Sequence, residues 1–197
     1  PSRAFRAHFL DGLAWRRRQY AAPSPAHVKR QVLLRNAIPN AVWVETGTFL
    51  GETTRVLSRN ARSVYSLEPE PALYARAAKK FAAFPNVKIL NGTSEQIFPL
   101  LLPTLGDAVN FWLDGHYSAG ITYKGPSDTP VLEELAQIGV NIARYRKLVV
   151  LVDDVRCFNP SIPAYSTYPS IDVLIDWARG NRLAWHIEHD IFVAQKL

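Results

Sequence analysis

Val42-Trp43-Val44-Glu45-Thr46-Gly47-Thr48-Phe49-Leu50-Gly51-Glu52-Thr53-Thr54 decides how the chain is read. An apolar, β-rich run ends in a carboxylate, two glycines follow four apart, and hydroxyl-rich helical sequence comes next. A strand, a glycine turn and a helix start in this order present backbone N–H groups to a ligand at the carboxyl end of a parallel strand. Glycine suits such a turn because a Cβ would block the ligand or forbid the dihedrals.

Outward from this stretch, short apolar runs alternate with amphipathic ones, the pattern of βαβ units in a parallel sheet. Strands are predicted near 41–46, 63–68, 87–91, 109–114 and 148–153, and helices near 51–60, 71–83, 94–102, 129–142 and 170–179. Pro71 opens the second of these helices and Pro85 closes it. Ser170 and Ser94 read as N-caps. The runs 182–188 and 191–197 have almost no connector, so the last strand is predicted to be reversed in an antiparallel hairpin. The expected fold is α/β: a Rossmann-like, doubly wound, mainly parallel seven-stranded sheet with a C-terminal antiparallel hairpin strand, plus N-terminal helices. Residues 1–40 read as a helical leader that covers the sheet edge or forms a lid, and 41–197 as the ligand-binding domain.

The net charge is +6, and it is unevenly distributed. Arg3, Arg6, Arg16, Arg17, Arg18, Lys29 and Arg30 face a single acid, Asp11, within residues 1–31. Beyond residue 31 the charges balance, sixteen of each sign. A neutral domain with a basic leader disfavours nucleic acid as partner, since such a leader is more often a solvated helix face. No run reaches the roughly 18 continuous apolar residues of a membrane span. Nothing near the start reads as secretory, and without Met at position 1 the start is expected to be trimmed. Cys157 is the only cysteine. It points to a reducing, cytoplasmic setting and reads as a small buried apolar side chain.

The chemistry sits at the strand ends. Glu68 closes the second strand about twenty residues after the glycine turn, where a carboxylate accepts ribose hydroxyls. A nicotinamide-binding turn needs Gly-x-Gly-x-x-Gly, whereas this chain has Phe49 at the central position. Glu45 is a poor neighbour for pyrophosphate and a good one for a cation. A sulfonium amino acid with an adenosine tail satisfies both. Asn91-Gly92-Thr93-Ser94 ends the third strand, on the adenine side. Asp114 and the pair Asp153–Asp154 end strands expected to be neighbours, and three converging carboxylates call for a cation such as Mg²⁺ or a similar divalent ion. His116 stands two residues beyond Asp114, placed to take a proton from a hydroxyl. Long loops at 115–128 and 155–169 supply Tyr117, Tyr123, Tyr165 and Tyr168 as walls of an acceptor pocket.

Together, the block from Val44 to Thr54, Leu67-Glu68, Leu113-Asp114-Gly115-His116-Tyr117 and Val152-Asp153-Asp154 resembles the class I S-adenosylmethionine-dependent methyltransferases, over residues 41–197. Within them it is similar to the metal-dependent small-molecule O-methyltransferases around macrocin O-methyltransferase. The resemblance implies S-adenosylmethionine held by Glu45, Thr46, Gly47, Gly51, Thr53, Glu68, Gly92, Ser94 and Asp114. It implies Mg²⁺ on Asp114, Asp153 and Asp154, with His116 and Asp114 catalytic. His116 takes the place of a base that is acidic in several relatives. The expected activity is Mg-assisted O-methylation of a small-molecule hydroxyl, and a homo-oligomer is left open. Two alternatives stand: an RNA-binding methyltransferase or non-catalytic cofactor-binding module that uses the basic leader, and a nicotinamide oxidoreductase.

Overall fold

A computed structural model describes residues 3–115 and 129–196, with side chains from residue 10 onward. Seven strands form one sheet in the order β3-β2-β1-β4-β5-β7-β6. These are β1 (Val42–Thr46), β2 (Ser63–Glu68), β3 (Val87–Asn91), β4 (Ala108–Leu113), β5 (Lys147–Val152), β6 (Ala184–Glu188) and β7 (Ile191–Lys196). The first five are parallel, and β7 runs antiparallel to both β5 and β6, as the short connector demands. The order reverses at β1, so the chain leaves the sheet on opposite sides of the β1–β4 boundary. That switch point is where open α/β sheets bind ligands.

The helices are α1 (Arg3–Arg17), α2 (Ala26–Asn36), α3 (Glu52–Leu57), α4 (Pro71–Phe81), α5 (Ser94–Leu101), α6 (Val131–Asn141) and α7 (Asp172–Gly180). Helix α3 is only six residues, shorter than expected, and ends where Ser58 N–H bonds back to Thr54 O at 2.9 Å. Thr93, not Ser94, caps α5, and Gln96 returns the contact by accepting Thr93 N–H at 3.2 Å. Ile171, not Ser170, is the N-cap of α7, although Ser170 Oγ still accepts Asp172 N–H at 3.4 Å.

Period-two alternation divides the strands between two apolar layers. Val44, Phe111 and Val150 pack with Phe98 of α5, Leu135 and Ile138 of α6, and Leu174 of α7. Trp43, Trp112, Val149, Leu151 and Val193 pack on the other face with Val32 and Leu33 of α2. Helix α2 of the leader therefore packs on a sheet face. Burying Val32 and Leu33 contributes roughly 2 kcal/mol each, and buried Asn110 of β4 reinforces the attachment. Its side chain accepts Ile38 N–H at 2.9 Å and donates to Ile38 O at 3.1 Å. The same parity carries Glu45, Asp114 and Asp153 toward the leader's side at the carboxyl ends of the strands.

Candidate active site

Around the glycine turn, four backbone N–H groups, those of Gly47, Thr48, Phe49 and Gly51, are bonded within the protein. Gly47 and Thr48 N–H both donate to Leu67 O, at 3.1 and 3.0 Å, and Gly51 N–H donates to Thr48 O at 2.7 Å. Phe49 N–H donates to Glu68 Oε2 at 2.7 Å, while Glu70 N–H reaches Glu68 Oε1 at 3.1 Å. The turn is folded onto the tip of β2. Its glycines are required by the protein's own packing: a Cβ on Gly47 would lie 2.5 Å from Asp114 O, and one on Gly51 2.6 Å from the Phe81 ring. Both also have positive φ, 86° and 70°.

Glu45 is buried, and Thr54 and Ser66 hydroxyls each donate to its Oε2 at 2.6 Å. Among the described residues its other oxygen, Oε1, meets no hydrogen-bond donor. Burial pushes the Glu45 carboxyl up to about 7, against the pull of Ser66 and Thr54. Burial also raises Glu68, with Phe49 and Glu70 N–H opposing it. A second buried carboxyl, Glu134 of α6, was not singled out from the sequence. It bonds Ser94 and Thr46, and burial raises it to about 7.

On the other side of the switch point, the ends of β1, β4 and β5 are tied by Asp114 N–H to Thr46 O at 3.2 Å and Asp153 N–H to Leu113 O at 3.1 Å. A cavity of about 190 Å³ opens here, lined by Lys29, Arg30, Thr53, Trp112, Asp114 and Asp153 among others. Lys29 Nζ donates to Asp153 Oδ1 and Asp154 Oδ1, each at 2.6 Å. Arg156 donates to that same Asp154 oxygen at 2.6 Å and to Asp190. Burial draws the Lys29 ammonium down, but Asp153 and Asp154 more than offset it, and it stays above the ordinary lysine range. Burial likewise pushes Asp153 up to about 6, with Lys29 opposing.

The structure thus joins Glu45, Gly47 and Glu68 through one turn, and Thr53, Asp114 and Asp153 around one cavity. Thr46 Oγ1 accepts Asp114 N–H at 3.3 Å, Gly92 N–H donates to Glu68 O at 3.3 Å, and Ser94 sits buried in the first turn of α5. Tyr168 is buried against Phe158 with ring centroids 5.6 Å apart, and Tyr165 packs partly buried beside it. Tyr168 also lines a small pocket at the strand ends with Leu113, Gly115, Glu134 and Asp153. Cys157 is buried, as expected, and burial raises its thiol. His116, Tyr117 and Tyr123 lie outside the described residues.

The residues fit the two expected ligands unequally. For the adenosyl cation, a buried carboxylate with one donorless oxygen stands beside the glycine turn, and a second carboxylate stands at the neighbouring strand tip. For Mg²⁺ the donor set does not fit. No group of three or more His, Cys, Asp or Glu suited to a metal occurs among the described residues. Asp153 and Asp154 already share a lysine.

This fold is shared with solved S-adenosylmethionine-dependent methyltransferases. Similar solved structures include a SAM-dependent methyltransferase from Aquifex aeolicus, 14% identical with TM-score 0.55, covering 88% of this chain and 93% of that one. The N-methyltransferase NodS from Bradyrhizobium japonicum is 12% identical with TM-score 0.56, covering 86% and 93%. A protein from Staphylococcus aureus assigned as a caffeoyl-CoA O-methyltransferase is 13% identical with TM-score 0.56, covering 87% and 82%. The chain matches no protein-family model and no curated protein. No helix among the described residues is long and apolar enough to cross a membrane.

Proposed function

We propose that the chain is an S-adenosylmethionine-dependent methyltransferase acting on a hydroxyl of a small molecule, as in the O-methyltransferase group its motif blocks resemble. The observation that carries this reading is Glu45 Oε1, a buried acceptor without a donor at the turn between β1 and α3. A buried acceptor of this kind is costly until a donor reaches it, and an amino acid's ammonium group is such a donor. The cofactor supplies an activated methyl group. Glu45, Thr46, Gly47, Gly51, Thr53 and Asp114 would hold its amino-acid half, Glu68 its ribose, and Gly92 and Ser94 its adenine side.

The chain's own residues then position the acceptor. An acceptor in the cavity under α2 would bring its hydroxyl near the ends of β1 and β4, and holding two reactants in line supplies much of the rate. Trp112 lines the cavity, and among the described residues its Nε1 meets no acceptor, so it offers a hydrogen bond to the acceptor molecule. Asp114 lines the same cavity, and His116, two residues on, is assigned the proton. Of the leader's bases, Lys29 and Arg30 turn inward to the cavity and Arg35 pairs with Glu188. Arg16, Arg17 and Arg18 stay exposed, so the preference for a small acceptor over an RNA backbone rests on the two bases that line the cavity.

Calorimetric titration with S-adenosylhomocysteine tests the reading. Saturable binding is expected, weakened by about 1–3 kcal/mol in Glu68→Ala through lost hydrogen bonds to a charged group. Binding of NAD with none of S-adenosylhomocysteine would replace this reading with the oxidoreductase.

A further inference from the structure

Two adjacent carboxylates at a strand end, both at least 89% buried at the side chain, share a single ammonium group at equal distances of 2.6 Å. That ammonium belongs to Lys29 of α2, more than a hundred residues away in sequence, and the helix is anchored by Val32, Leu33 and the Asn110 clasp on Ile38. Its position is therefore set by the core and not by the flexibility of a surface lysine. The surroundings already supply a second side-chain cation. Arg156 bridges Asp154 to Asp190, and Asp153 Oδ1 also accepts Asp154 N–H at 2.7 Å. Asp154 has a left-handed backbone, φ 55°, which aspartate tolerates, and this corner turns its carboxylate back to its neighbour.

We propose that Lys29 is a tethered replacement for a divalent cation: it occupies the point between Asp153 and Asp154 where such an ion would bind, and it excludes the ion. A divalent ion and an ammonium group bridging the same two oxygens would lie within one ligand radius of each other, where like charges repel strongly in a poorly solvated site. Adding the ion would also leave the three carboxylates Asp153, Asp154 and Asp190 overcompensated, since Lys29 and Arg156 already bring two positive charges. Removing the lysine leaves Asp153 without its ammonium partner beside Asp154, which keeps Arg156, and their oxygens suit a hard cation. The consequence for catalysis, a cation contributed by the chain and indifferent to chelators, rests on the methyltransferase reading. The exclusion of metal does not.

Mn²⁺ binding to the full chain, followed by the electron paramagnetic resonance of the free ion, tests this. The wild type is expected to leave Mn²⁺ free. Lys29→Met is expected to bind one ion at least about ten-fold more tightly than the wild type, and Lys29→Met with Asp153→Asn to lose it again. Lys29→Gln serves as a second variant, with folding followed by circular dichroism and S-adenosylhomocysteine binding measured separately on each protein. A variant that folds only when Mn²⁺ is present also supports the proposal. It is overturned if the wild type binds Mn²⁺ as tightly as the variants, or if neither variant, folded or refolded with the ion, gains binding. Loss of S-adenosylhomocysteine binding in the wild type with these Mn²⁺ results intact would sink the methyltransferase reading alone.

Discussion

The two halves of the strand-end cleft hold buried carboxylates in opposite ways. At β1 and β2, the Thr54 and Ser66 hydroxyls hold Glu45, no ion pair to it occurs among the described residues, and burial raises it to about 7. At β5, Asp153 and Asp154 are equally buried but held by Lys29 and Arg156. One half answers desolvation with neutral dipoles and leaves an oxygen waiting for a donor. The other answers it with fixed charge. Under the proposed function, the first would take a cation from solution, whereas the second already has one in Lys29.

Removing that fixed charge is the harshest way to break the comparison. Lys29→Met should destabilise the fold by about 3–5 kcal/mol, because two buried carboxylates lose a shared partner. Urea unfolding measures it, and a loss under about 1 kcal/mol would make the pair no more than a surface contact.

Glu45→Gln sharpens the other half. The Glu45 pKa is raised in the folded chain from 4.5 to about 7, so between those values the folded state holds a proton the unfolded state has released. Stability contributed by this group is therefore full below pH 4.5 and is lost as pH rises to about 7. Glu134 titrates in the same window. Glu45→Gln should flatten part of that fall and leave the variant about 3 kcal/mol more stable than otherwise expected at pH 8, while weakening cofactor binding. Chemical denaturation at pH 5 and pH 8 reads the change; an unaltered slope would mean that Glu45 is ionised throughout.

Much of the scaffold was legible in the sequence because strand alternation, proline placement and the short 188–191 connector are local signals. The β1 and β2 tips were legible for the same reason: the acid, the glycines and Glu68 are spaced by one βαβ unit. The β5 end was legible in part. Asp153 and Asp154 were found at the right strand end, but their partner was assigned from solution when it lay in the leader. Lys29 did leave a trace, since it shares a helical stripe with Val32 and Leu33 at positions i, i+3 and i+4. Glu134 left the same trace beside Val131 and Leu135 in α6. A charged residue inside an apolar stripe has to be neutralised or paired, and composition alone had assigned the leader's bases to solvent. The bonding of the turn's N–H groups to Leu67 and Glu68 had no comparable signal, because it depends on register between β1 and β2.

A crystal structure of the chain with S-adenosylhomocysteine tests the central claim most directly. The account predicts the ligand across the tips of β1 and β2, with its ammonium donating to the Glu45 oxygen that has no donor and its ribose hydroxyls on Glu68. Ligand density elsewhere, with Glu45 Oε1 still lacking a donor, would contradict it.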